Sequence, residues 1–341
     1  MTKKILVTGG TGYIGSHTLI DLIENQFIPI SVDNGYNSDV SVLKKVEQLT
    51  GHKIKHYNID LCDVNLSEQI FIENPDISGI IHFAALKAVG ESTEIPLKYY
   101  KNNLISLMNI LELSDKYNVK AFIFSSSCTV YGEGQLSPID ENASLAWASS
   151  PYGSTKQFSE QIIKDYTLTT HFQSVLLRYF NPAGAHPSGL MGESPKNIAL
   201  NLVPVITETA IGKRQKMTVY GEDYDTRDGT CIRDYIHVCD LANAHTLALQ
   251  YVLDNQQIEK TDVFNLGIGE GLTVLEMIKA FEKISKTSLN YFVGKRRPGD
   301  IQAIYADNKK ARDILGWKPK NNVEDIMRSA WIWEQNKSKN L

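Results

Sequence analysis

Apolar residues in the first half of the chain follow two alternating periods. Short β-branched or apolar runs at Lys4–Val7, Ile28–Val32, Ile54–Asn58, Gly79–Phe83, Lys120–Phe124 and Ser174–Leu177 end in small or polar residues and predict strands. The longer stretches between them repeat at helical spacing. Ile14, Thr18, Leu19 and Leu22 line one helix face, and Leu104, Leu107, Met108 and Leu111 another. Strand, helix, strand at this spacing predicts βαβ crossovers and a parallel sheet covered on both faces. Because such crossovers are right-handed, the expected fold is a doubly wound parallel α/β sheet of the Rossmann type.

The alternation weakens after Phe180. Pro182, Gly184, Pro187, Gly189, Gly192 and Pro195 punctuate a loop, and Ile198–Ile211 then reads as a helix. Val263–Leu266 reads as another buried strand. A final helix is expected near Val323–Glu334, with Val323, Ile326, Met327 and Ala330 on one face. The expected domains are 1–180, with the chain returning to it around 236–270, and a smaller C-terminal α/β domain over 181–341.

The 341 residues are 42% hydrophobic and 22% charged, which excludes a disordered or collagen-like chain. The net charge of -4, from 35 basic and 39 acidic residues, argues against a nucleic-acid partner. The apolar stretches fall far short of the ~20 residues of a membrane helix, and the start lacks the apolar run of a secretory signal. The four cysteines, at 62, 128, 231 and 239, form no Cys-x-x-Cys pair. The expectation is free thiols in a reducing cytoplasm. No His-Glu-x-x-His occurs among the eight histidines, so no metal site is expected.

Gly9, Gly12 and Gly15 form Gly-x-x-Gly-x-x-Gly between the first strand and the first helix. Glycines let backbone approach a diphosphate, and the helix N-terminus offers free N–H groups. Asp33 ends the second strand, eighteen residues past Gly15, where a carboxylate accepts both ribose hydroxyls and repels a 2′-phosphate. This favours NAD over NADP. Asp60 follows the third strand, suited either to the adenine amino group or to a helix N-cap.

Tyr152 and Lys156 stand one helical turn apart in Tyr-Gly-Ser-Thr-Lys. A tyrosine acting as a base near neutral pH needs its pKa lowered by about three pH units, roughly 4 kcal/mol. A nearby ammonium and a positive nicotinamide ring act in that direction. Ser125-Ser126-Ser127 closes the fifth strand, where ligands sit in an open α/β sheet, and Ser127 is placed to share the Tyr152 proton.

Gly9–Gly15, Ser127, Tyr152 and Lys156 resemble the extended short-chain dehydrogenase/reductases. Three longer strings, His82–Ser92, Arg178–Gly189 and Arg233–Val238, resemble the UDP-glucose 4-epimerase family within them, and the likeness runs from about residue 3 to about residue 334. The resemblance implies an isomerase with bound NAD, acting on a UDP-sugar through a 4-keto intermediate, and a homodimer formed by helices near 96–117 and 152–168. It implies that Tyr13, Ile14, Asn34, Leu61, Phe83, Lys87, Asn102 and Tyr179 join the glycines, Asp33 and Asp60 around NAD. It implies that Asn181, Asn201, Leu202 and Tyr220 hold the substrate, that Arg233 and Arg297 grip the diphosphate, and that Asp300 meets the uridine ribose. Ile304 falls where the family has a residue beside the sugar C2 substituent. Its intermediate size leaves both hexoses and N-acetylated hexosamines open. Related 4,6-dehydratases carry an Asp-Glu pair after the fifth strand. Here the string is Ser127-Cys128-Thr129-Val130, without an acid.

Overall fold

The computed structural model describes residues 2–196, 198–297 and 299–339. The first half alternates as β1 (Lys4–Thr8), α1 (Tyr13–Glu24), β2 (Ile28–Asp33), α2 (Val42–Thr50), β3 (Lys55–Asn58), α3 (Val64–Glu73), β4 (Ile77–His82), α4 (Val89–Glu94), α5 (Pro96–Lys116), β5 (Ala121–Ser125), a 3-10 turn at Cys128–Tyr131, α6 (Pro151–Thr167) and β6 (Gln173–Tyr179). The rest is less regular: β7 (Asn181–Ala183), α7 (Leu202–Ala210), β8 (Met217–Tyr220), β9 (Ile232–Arg233), β10 (Tyr235–His237), α8 (Val238–Leu253), β11 (Thr261–Leu266), β12 (Leu272–Thr273), α9 (Val274–Ser285), β13 (Tyr291–Gly294), β14 (Ala303–Ile304), α10 (Lys309–Leu315) and α11 (Val323–Ser338).

Seven strands form one sheet in the order β3-β2-β1-β4-β5-β6-β11, every neighbouring pair parallel. The strand order reverses between β1 and β4, so a crevice opens at their C-terminal ends. The pleat divides each strand between two cores. Ile5 and Val7 of β1 join Leu19 and Leu22 of α1 and Leu249 of α8, while Leu6 joins Leu107 of α5 and Phe71 of α3. Leu19 and Leu22 are fully buried, each contributing roughly 1.5–3 kcal/mol. β11 and α8 bring the chain back to this sheet after the loop that follows Phe180. A third core joins Val203 and Ile206 of α7, Val219 of β8, Phe281 of α9 and Met327 of α11.

Two helices differ from the periodicity reading. On α5 the buried stripe includes Asn103 and Ser106, and Ile110 rather than Met108 faces the core. Both polar residues are satisfied by hydrogen bonds, Asn103 to Leu86 and Thr155, Ser106 to the Asn102 carbonyl. Met108 belongs to a second, outward stripe with Leu97 and Ile105. The helix expected over 198–211 starts only at Leu202, leaving Ile198 and Leu200 exposed. Asn201 is extended, at ψ 145, and turns its side chain back to Glu193. The short pairs β7–β10, β8–β13 and β9 with β12 and β14 have two to four residues a strand, too few to show a period.

Candidate active site

The turn after β1 is shaped for close approach. Gly9 has a φ of +67 and donates its N–H to the Val32 carbonyl at 2.8 Å. A Cβ on Gly15 would lie 2.2 Å from the Gly9 carbonyl oxygen, so a side chain there would force the turn open. Gly12 stands at the N-cap of α1 without a side-chain cap, which keeps the first-turn amides available to an anion. Asp33 sits at the end of β2. Its Oδ1 accepts from Gly35 N and Ser38 Oγ, both at 2.9 Å, and its Oδ2 from Thr11 N at 3.3 Å. Asp60 does not cap α3; Asp63 does, accepting from Leu66 N at 3.1 Å. Asp60 instead accepts from Cys62 N and, at 3.4 Å, from Asn34 Nδ2.

One cavity of about 750 Å³ runs from this turn across the sheet's C-terminal edge. Gly9, Gly12, Tyr13, Ile14, Gly15, Asp33, Asn34, Asp60, Leu61, Phe83, Lys87 and Asn102 line one part. Ser127, Tyr152, Lys156, Tyr179, Asn181, Asn201 and Leu202 line the rest. Glycine backbone, a helix N-terminus and a strand-end carboxylate in one crevice fit a dinucleotide such as NAD.

α6 is set to place Tyr152 in its first turn. Ser150 caps it by accepting from Gly153 N at 3.1 Å, and Pro151 fills the first helical position. Tyr152 and Lys156 are both buried. Lys156 Nζ donates to the Ser125 carbonyl at 2.7 Å and lies 4.6 Å from the centre of the Phe124 ring. Burial draws its ammonium down to about 8, against the opposing pull of the Glu160 carboxylate. The Tyr152 phenol is pushed well above its usual range by burial, with Tyr179 adding to the effect and the Ser127 hydroxyl opposing it. The ammonium that was expected to favour phenolate is turned to a backbone carbonyl, and desolvation dominates.

The three consecutive serines do three different things. Ser125 Oγ donates to the Tyr179 hydroxyl at 2.9 Å, Ser126 Oγ to Glu160 Oε1 at 2.6 Å, and Ser127 Oγ accepts from Thr129 N at 3.3 Å. Glu160 is a residue the motif reading missed. Arg178 Nε and Nη2 grip its two oxygens at 2.8 and 2.6 Å, and both side chains are buried. This pair ties α6 to β6 beneath the site. The signal was in the chain, since Glu160 continues the stripe of Tyr152 and Lys156 by one more turn.

Tyr220, Arg233, Arg297, Asp300 and Ile304 lie outside the residues lining the cavity, and the first four form a cluster of their own. Asp300 Oδ1 takes Arg297 Nη2 at 2.7 Å and Arg233 Nη2 at 3.4 Å, and the Arg297 guanidinium lies 5.5 Å from the Tyr220 ring centre. Two guanidinium forks held side by side suit a diphosphate. Arg233 and Asp234, adjacent in sequence, do not pair. Asp234 is fully buried and accepts from Ile268 N, Gly269 N and Ala306 N, with burial pushing its carboxyl up to about 6. Ile304 is buried in a small core with Cys128 and Phe180, and burial pushes the Cys128 thiol up to about 12. The basic run Lys213–Lys216, which reads as a solvated loop, is tied down: Lys213 to Glu334 and Arg214 to Glu208. Among the described residues, no group of three or more His, Cys, Asp or Glu could hold a metal ion, and no helix is long and apolar enough to cross a membrane.

Comparison with known proteins shows the family. The family model described as GDP-mannose 4,6 dehydratase matches residues 6–330. A UDP-glucose 4-epimerase of Bacillus subtilis is 48% identical over 331 residues, covering 97% of this chain and 96% of the relative. A crystal structure of UDP-glucose 4-epimerase from Bifidobacterium longum in complex with NAD+ and UDP superposes with a TM-score of 0.93 at 46% identity, covering 99% of this chain and all of that one. The Stenotrophomonas maltophila UDP-glucose 4-epimerase, with bound NAD and formylated UDP-arabinopyranose, gives a TM-score of 0.96 at 40% identity, covering 99% of this chain and all of that one.

Proposed function

The chain belongs to the UDP-glucose 4-epimerase family, and on that premise we propose that it interconverts UDP-galactose and UDP-glucose through a 4-keto sugar, with NAD as resident cofactor. The observation that carries the reading is one continuous cavity in which the glycine turn and Asp33 adjoin Ser127, Tyr152 and Lys156. NAD, held by the glycine turn, Asp33 and the residues around them, would supply reversible hydride transfer at the sugar C4. Tyr152 takes the proton of the 4-hydroxyl and later restores it. Ser127 steadies that proton between the phenol and the sugar oxygen. Lys156, anchored on the Ser125 carbonyl one helical turn from Tyr152, keeps positive charge in the site, its protonated form favoured by the Glu160 carboxylate. Asp33 selects the unphosphorylated adenosine ribose. Arg233 and Arg297 anchor the diphosphate while the sugar turns, and Asn181, Asn201, Leu202 and Tyr220 hold the rest of the UDP-sugar.

Residues 1–180, with 236–270, form the cofactor domain and the remainder the UDP-sugar domain. We place the protein in the cytoplasm, in keeping with its four free thiols. We also propose a homodimer, in which the exposed Leu97, Ile105 and Met108 of α5 and Phe158 of α6 meet a second copy. No acid stands in Ser127-Cys128-Thr129-Val130, where 4,6-dehydratases carry an Asp-Glu pair, which disfavours dehydration despite the family model's name.

The test is to incubate purified protein, without added NAD, separately with UDP-galactose and UDP-N-acetylgalactosamine, and to identify products by chromatography. Conversion of UDP-galactose supports the reading, and conversion of both widens the substrate class past Ile304. Conversion of neither, after NAD is supplied, overturns it.

A further inference from the structure

Glu193, Ser194, Pro195 and Asn201 line the cavity, and one carboxylate among them touches both halves. Glu193 Oε1 lies 3.5 Å from Lys87 Nζ, on the cofactor side, and accepts from Asn201 Nδ2 at 2.8 Å, on the substrate side. Its side chain is nine-tenths buried, although Lys87 is half-exposed. Its backbone is pinned from α11, where Trp333 Nε1 donates to the Glu193 carbonyl at 3.0 Å. Three residues on, Lys196 Nζ donates to the carbonyls of Gly35 and Tyr36, so the same segment reaches the adenosine-side loop. The second carboxylate oxygen, Oε2, is buried with no hydrogen-bond partner among the described residues, and Glu193 lines the cavity. A buried carboxylate oxygen without a donor is costly, so the carboxylate is held in place by what its other oxygen does for Lys87 and Asn201.

We propose that Glu193 is the positioning residue that joins the two half-sites, setting Lys87 for the dinucleotide and Asn201 for the UDP-sugar at once through its Oε1. The proposal rests on the epimerase reading above. It makes cofactor retention and substrate affinity depend on one side chain, and gives the two ligands a physical route by which each favours the other.

Two substitutions separate the contacts. Glu193→Ala removes both, so KM for UDP-galactose should rise about tenfold and NAD retained through gel filtration should fall, the loss resting on KM rather than kcat. Glu193→Gln keeps an acceptor for Asn201 but loses the charge facing Lys87. Its KM should return to within about threefold of wild type while NAD retention stays low. A merely structural role would lower thermal stability without splitting these readouts. If the alanine variant fails to fold, the near-isosteric glutamine variant carries the test against Asn201→Ala, which should raise KM with NAD retained. The proposal falls if Glu193→Ala leaves KM and retention unchanged, or if Glu193→Gln shifts both together. Wild-type turnover of UDP-galactose run alongside distinguishes the cases. Its failure strikes the epimerase reading, whereas normal turnover with unaltered variants strikes this proposal alone.

Discussion

Lys156→Met should abolish turnover and yet leave the protein more stable at neutral pH. Lys156 is buried, and its pKa falls from the usual 10.5 to about 8, chiefly through burial. A difference of about 2.5 pH units at about 1.36 kcal/mol each is about 3 kcal/mol by which the fold disfavours the ammonium. Against this, the variant leaves the Ser125 carbonyl without the 2.7 Å bond it accepts from Nζ, a loss of about 1 kcal/mol. Methionine keeps most of the apolar contact over Phe124. The net expectation is a gain of about 2 kcal/mol at pH 7. Its pH dependence follows from the direction of the shift. Between pH 8 and 10.5 the unfolded lysine is protonated and the folded one is not, so wild-type stability rises with pH across that window. The advantage of the variant is therefore full below about pH 8 and gone by about 10.5. Urea denaturation of both proteins at saturating NAD, at pH 7, 9 and 10.5, measures this. A variant less stable than wild type at pH 7, or a difference that stays constant across the three values, would refute the reasoning.

Two further outcomes are expected. Tyr152→Phe should cut turnover of UDP-galactose by two to four orders of magnitude, the usual range for a lost general acid–base, with NAD still co-eluting; turnover near wild type would remove Tyr152 from its role. Glu160→Gln leaves the buried Arg178 guanidinium without its counter-charge and should destabilise by about 3–5 kcal/mol in urea denaturation; a loss under about 1 kcal/mol would show that the pair does not brace α6.

The alternating periods mark six strands and their crossover helices because each repeat is local. A short continuous apolar run for a strand buried on both faces, or an apolar residue every third to fourth position for a helix, is visible within ten residues. Gly9, Gly12 and Gly15, and Tyr152 with Lys156, are legible for the same reason, since each motif lies within one turn or one helix. Where polar residues join a buried stripe, as Asn103 and Ser106 do on α5, apolar counting picks the wrong neighbour and takes Met108 for core. Where a side chain answers to a distant partner, as Asn201 does to Glu193, the helix starts later than its apolar run suggests.

The sequence by itself determined the parallel α/β architecture, the glycine turn and the stripe that carries Tyr152 and Lys156, because these follow from spacing along one chain. Only the tertiary structure decided that Lys156 turns to the Ser125 carbonyl, that Arg178 rather than solvent meets Glu160, and that Asp234 faces three backbone amides while Arg233 turns to Asp300. It also decided that Glu193 stands between Lys87 and Asn201. Those outcomes depend on desolvation and on partners tens of residues apart in the chain. Neither quantity exists until the sheet and the elements after Phe180 close around them.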